Sequence, residues 1–121
     1  MIKDVLLTPL DIIEVPNGRV FHALKNFDAG YNQFGEAYFS EIEPGKVKAW
    51  KRHRLMTLNL VVPIGEVRFV LLDDRLDGHK EYDAYYLSQQ EYSRLTIPPM
   101  VWVGFQGLSK TNSLVLNIAD L

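Results

Sequence analysis

The chain has 121 residues, 47% of them hydrophobic, and a net charge of −2 at pH 7. That is one domain's worth of chain, 1–121, with enough apolar material for a single core. The charge argues against non-specific nucleic-acid binding by the whole surface. The absence of cysteine removes disulfides, thiolate metal sites and a cysteine nucleophile, and fits a cytoplasmic protein. The apolar run in Met1–Leu7 is too short for a signal peptide, and no stretch of about 18 apolar residues suggests a membrane span.

Period-two patterning dominates, which is the strand signal. In chain order, strands are predicted over Val20–Lys25, Phe34–Ile42, Lys46–Leu55, Leu58–Val62, Glu66–Leu72, Asp83–Leu87, Arg94–Ile97, Val101–Phe105 and Leu114–Ala119. Turn residues punctuate them at Pro16-Asn17-Gly18, Pro44-Gly45, Asp77-Gly78 and Pro98-Pro99. Pro63-Ile64-Gly65, between two apolar runs, is the strongest hairpin signal. Ser88–Ser93 offers at most one helical turn. Many short strands without a helix of useful length imply an all-β sandwich or barrel.

The chemistry concentrates on Lys46–Leu55. Strict alternation puts Val47, Ala49, Lys51, His53 and Leu55 on one face, and Lys46, Lys48, Trp50, Arg52 and Arg54 on the other. The first face is apolar at its ends, so Lys51 and His53 are predicted to point into the barrel. A cation beside an imidazole favours its neutral, proton-accepting form, which suits a general base. A solvated basic edge strand with a hydrogen-bonded histidine is the alternative. The opposite face suits a phosphate, since Arg binds bidentately and Lys acts as a point charge, with Trp50 available for stacking. A merely charged outer face is the alternative there. Arg19, Arg68 and Arg75 are further anion-binding candidates. Tyr38 is singled out among six tyrosines because it lies on the strand preceding the basic one.

Gly45, Lys51, His53 and Gly65 have the spacing of the first cupin motif, with Lys51 in the place of the first His of a His-x-His pair. Val103 stands where the motif's late His would be, and Thr57 or Leu58 where its Glu would be. One ligand of four does not hold a metal, so no metal and no cofactor are expected. His22 and His79 lie in unrelated segments.

Further segments carry a more specific likeness. They are Asn17–Phe21, Phe34–Ser40, Val47–Arg54, Gly65–Arg75 and Ile97–Phe105, the last reading Ile-Pro-Pro-Met-Val-Trp-Val-Gly-Phe. Together they resemble the sugar-nucleotide branch of the cupins, which contains dTDP-4-dehydrorhamnose 3,5-epimerase and the dTDP-sugar 3,4-ketoisomerases. The resemblance implies a jelly-roll barrel of cupin type (a double-stranded β-helix), dimeric and metal-free. It implies proton abstraction next to the C4 ketone of a dTDP-4-keto-6-deoxyhexose, in cell-surface polysaccharide synthesis. By position, Lys51 matches the 3,5-epimerase base, His53 the second active-site His, Tyr38 the ketoisomerase Tyr and Lys48 a phosphate-binding Arg. The expected catalytic residues are therefore His53, Lys51 and Tyr38. The expected substrate-binding residues are Arg19, Lys48, Arg68 and Trp102. The expected partners are a nucleotide sugar and a second copy of the chain, without nucleic acid or membrane. A non-catalytic barrel that binds the same ligand is the alternative, because Lys51 replaces the usual base.

Overall fold

The computed structural model describes residues 1–121. Eleven strands form: β1 (Leu6–Pro9), β2 (Ile12–Val15), β3 (Gly18–Phe21), β4 (Glu36–Ile42), β5 (Val47–Lys51), β6 (Leu58–Ile64), β7 (Glu66–Asp73), β8 (Glu81–Ser88), β9 (Ser93–Ile97), β10 (Trp102–Gly107) and β11 (Ser113–Ala119). No helix is present, and Ser88–Ser93 contains only a turn between β8 and β9. The five-stranded sheet runs β1-β9-β6-β11-β4, the four-stranded sheet β5-β10-β7-β8, and β2 pairs with β3 in a separate hairpin. Every pairing is antiparallel. This is the cupin-type all-β architecture.

Alternation along each strand sends one row of side chains into the space between the sheets. Val67, Phe69 and Leu71 of β7 are fully buried, and face Leu58, Leu60 and Val62 of β6 and Leu95 and Ile97 of β9 in one core cluster. Each such side chain contributes on the order of 1.5–3 kcal/mol by leaving water. Arg94 is fully buried too, but on the opposite face of β9 from Leu95 and Ile97, under the loop that follows β3. Its guanidinium donates to the carbonyls of Ala23 and Ala29, at 2.7 and 3.0 Å, and sits 3.5 Å from the Asp28 carboxylate. It thereby straps the 23–29 loop to the barrel. Burial lowers the pKa of Arg94, and Asp28 opposes that shift.

Three expectations need correction. Pro63-Ile64-Gly65 does not close a hairpin: β6 pairs with β11 and β9, β7 with β10 and β8, so the chain crosses there from one sheet to the other. Gly65 takes φ +86° at this corner, and a Cβ on it would collide with Ser113. Its turn chemistry was legible; which sheet receives the next strand was not. The strand expected over Val20–Lys25 ends at Phe21, because the chain turns into the loop that Arg94 holds. The basic strand ends at Lys51 rather than Leu55. The four-residue strands β1 and β2 were not anticipated, being too short to show a period; β1 lies at a sheet edge, where Pro9 is tolerated.

Candidate active site

The two sheets are packed tightly on the β7–β9 side and stand apart on the side of β4 and β5, the edge strands of their respective sheets. Between them lies a cavity of about 450 Å³. From the larger sheet, Tyr38, Ser40, Leu58, Leu60, Val115 and Asn117 line it; from the smaller sheet and its flank, Lys48, Ala49, Lys51, His53, Val103 and Phe105 do. Its size is that of a small-molecule site: apolar walls with a few polar groups.

Strand register explains each polar group. Tyr38, Ser40 and Ile42 alternate inward on β4, opposite Asn117, Val115 and Ser113 of β11. On β5, Lys51 lies opposite Val103 and Lys48 opposite Phe105. Val103 and Phe105 are two residues apart and share the inner face, yet their partners are three apart. The extra residue is a bulge at Ala49-Trp50, and it reverses the alternation upstream. Lys48 therefore joins Lys51 and His53 on the cavity instead of lying on the outer face with Arg52, as strict alternation had predicted. Lys48 Nζ donates to the Glu41 carbonyl at 2.8 Å and lies 6.0 Å from the centre of the Phe105 ring. Gly104 sits opposite the bulge, where a Cβ would come within 2.9 Å of the Ala49 Cβ. His53 lies in the loop after β5, half-buried, and its carbonyl accepts from Met100 N at 2.7 Å. The Pro98-Pro99-Met100 turn thus fixes the histidine backbone.

Tyr38, Lys48, Lys51 and His53 are brought together. Arg19, Arg68 and Trp102 are not. The Arg19 guanidinium lies over the Phe21 ring and donates to Gln89 Oε1 at 3.2 Å. Arg68 points outward from β7, between Tyr86 and Gln106. Trp102 donates to Asp74 Oδ2 at 3.2 Å on that same outer face, with Arg52 stacked on its ring. Asn117 escaped the sequence reading. Its signal was available: it is the one amide in the inward row Ser113, Val115, Asn117, Ala119 of β11. His53 is the only His, Asp or Glu on the cavity wall, and no group of three or more potential metal ligands exists in the chain.

A dTDP-sugar isomerase from Desulfovibrio desulfuricans G20 superposes on this fold with a TM-score of 0.93 and 38% identity, over 98% of this chain and 78% of that one. The chain belongs to the sugar-nucleotide cupin family of dTDP-sugar isomerases. The probable low-salt glycan biosynthesis epimerase Agl13 of Haloferax volcanii is 31% identical over 84 residues, 67% of this chain and 54% of that protein. This sugar-nucleotide cupin thus spans about half the length of that relative. The sugar 3,4-ketoisomerase QdtA from Thermoanaerobacterium thermosaccharolyticum, solved with TDP, shares the fold at TM-score 0.80 and 18% identity, over 100% of this chain and 83% of that one. No family profile matches the sequence. No helix is long and apolar enough to cross a membrane.

Proposed function

We propose that the protein is a metal-independent epimerase or ketoisomerase of a dTDP-linked 4-keto-6-deoxyhexose, serving glycan assembly. The observation that carries the reading is the convergence of Tyr38, Lys51 and His53 on one cavity of ligand size. Support comes from the isomerase that is 38% identical over nearly the whole chain, and from a glycan-biosynthesis epimerase among the relatives.

In this reading His53 takes the proton from the carbon next to the C4 ketone. The C–H electron pair becomes the enolate C=C bond, and the carbonyl pair moves onto oxygen. Such a proton is weakly acidic, so the developing oxyanion needs a fixed positive charge, which the Lys51 ammonium supplies. Tyr38 then delivers a proton. Delivery to the same carbon from the opposite face gives epimerisation. Abstraction at C3, delivery of a proton to C4 and transfer of the C3 hydroxyl proton to the C4 oxygen move the ketone to C3 and leave a hydroxyl at C4. Lys48 holds the diphosphate. The enzyme works in the cytoplasm as a homodimer, whose interface would cover the exposed Ile13, Val15 and Val20 of the β2–β3 hairpin.

The test is incubation with dTDP-4-keto-6-deoxyglucose in D2O, followed by NMR. Deuterium at C3 or C5 is expected for epimerisation, and deuterium at C4 with a ketone appearing at C3 identifies ketoisomerisation. Binding of the nucleotide sugar without exchange would instead establish a non-catalytic binding protein.

A further inference from the structure

Asn117 lies on the cavity wall and is 7% exposed. Its Nδ2 donates to the Tyr38 hydroxyl oxygen at 2.9 Å. Its Oδ1 is buried without a partner. An amide placed beside Leu58, Leu60 and Val115 costs free energy through desolvation, and a structural role alone does not require it. The direction of the bond to Tyr38 gives it a use. A phenol has one proton and two acceptor sites. With one acceptor site occupied by the Asn117 N–H, the Tyr38 proton must point elsewhere, and the open side is the cavity. The reverse amide orientation would let Oδ1 accept the Tyr38 proton and turn it away from a substrate. That orientation would also leave both hydrogens of the amide nitrogen unpaired, where the present one pairs one of them and leaves the oxygen without a partner. Buried backbone N–H groups are left unpaired less often than carbonyl oxygens, and the same preference favours the donating amide.

We propose that Asn117 is a positioning residue, whose amide donates to Tyr38 and directs the Tyr38 proton into the cavity for delivery to substrate. This rests on the proposed epimerase or ketoisomerase activity. In this role Asn117 acts through Tyr38.

Three variants and one double variant test it, with dTDP-4-keto-6-deoxyglucose turnover and deuterium exchange as readouts. Tyr38→Phe first sets the size of the proton donor's contribution, about 10²-fold or more in kcat for a general acid. Asn117→Asp keeps the shape but offers only acceptors while ionised, so it takes the Tyr38 proton. It should lower kcat about as far as Tyr38→Phe, with KM little changed. Activity should partly return as the pH is lowered and the new carboxyl gains a proton to donate. The double variant Tyr38→Phe/Asn117→Asp should be no slower than Tyr38→Phe, since Asn117 acts only through Tyr38. Asn117→Leu guards against misfolding of the aspartate variant. It removes the unpaired buried amide, so its Tm should equal or exceed that of wild type while its kcat falls. Wild-type kcat in either Asn117 variant, or losses that multiply in the double variant, would overturn the inference while leaving the isomerase reading intact. So would a Tyr38→Phe variant of undiminished kcat. A wild-type protein that exchanges no deuterium removes both.

Discussion

Lys48 and Lys51 face the same cavity although they lie three positions apart on β5. The bulge at Ala49-Trp50 makes this possible. Two ammonium groups on one wall repel each other unless an anion lies between or beside them. A nucleotide-linked keto sugar brings two anionic features: a permanent diphosphate and an oxygen that becomes anionic only during reaction. The proposed function uses the two lysines accordingly, Lys48 for the first and Lys51 for the second.

Lys48→Ala should therefore weaken binding of dTDP itself by about tenfold, the equivalent of about 1.4 kcal/mol, with kcat little changed. Calorimetric titration with dTDP, beside turnover measurements, checks this. Unchanged dTDP affinity with a large loss of kcat would place Lys48 at the reacting carbon instead.

His53→Ala should abolish deuterium exchange into the keto sugar, because nothing else on the wall is assigned to take the proton. Lys51→Ala should retain exchange but slow it by about 10²–10³-fold, the usual cost of removing one oxyanion-stabilising group. The reverse ranking would make Lys51 the base and His53 the supporting group.

These assignments show what period-two reading delivers and where it fails. Lys51 and His53 both face the cavity, as alternation predicted, although β5 ends at Lys51 and His53 lies in the loop after it. Lys48 lies on the other side of the bulge, and nothing in Val47–Trp50 announces it. What accommodates the bulge is Gly104 on the neighbouring strand, a residue about 55 positions away whose missing side chain admits Ala49. The crossing at Gly65 was opaque for a related reason: a left-handed glycine serves a hairpin and a change of sheet equally well. Arg94 reads as an ordinary strand charge, since its burial depends on carbonyls about 65–71 residues earlier in the chain. Tyr38 was legible from its place on the strand preceding the basic one, with the family likeness agreeing, and Asn117 only once β11 had a known inward face.

Gly104→Val follows from that geometry. The new side chain would press on Ala49 and on the Trp50 ring, 3.5 Å from the modest Cβ alone. Overpacking of this kind costs about 1–3 kcal/mol of stability. Because the displaced segment lies between Lys48 and Lys51, kcat/KM should fall by tenfold or more, on the order of what misplacing substrate-positioning groups costs. A variant with a lowered Tm but wild-type kcat/KM would mean that the bulge does not set the lysine positions.

Metal removal should have no effect. A catalytic metal ion needs about three protein ligands, and the cavity wall offers the His53 imidazole as its only His, Asp or Glu side chain. Dialysis against chelator should leave turnover unchanged, and elemental analysis should find no stoichiometric iron, manganese, zinc or nickel. Loss of activity restored by one of these ions would contradict the proton-transfer scheme built on His53 and Lys51.

The last prediction concerns stability away from the cavity. Asp73, at the end of β7, accepts hydrogen bonds from Arg75 Nε at 2.9 Å, from the Arg75 backbone N–H at 3.0 Å and from a terminal guanidinium nitrogen at 3.1 Å. Arg75 also donates to the Lys3 carbonyl at 2.7 Å, which ties the N-terminal segment to this corner. The side-chain hydrogen bonds from Arg75 hold the Asp73 carboxyl below its ordinary range, although partial burial opposes the shift. A carboxyl whose folded pKa is lowered binds its proton more readily when the chain is unfolded. Its contribution is therefore present above the ordinary carboxylate value of about 3.9, and is lost as the pH falls through the lower folded value. Asp73→Asn should cost about 1 kcal/mol near pH 7, since both side chains are largely shielded and the bonds are charge-assisted. The Tm gap between wild type and variant should narrow steadily below about pH 4, with kcat unchanged at neutral pH. An equal gap at pH 7 and at pH 3 would show that the variant acts through packing and not through the ionised pair.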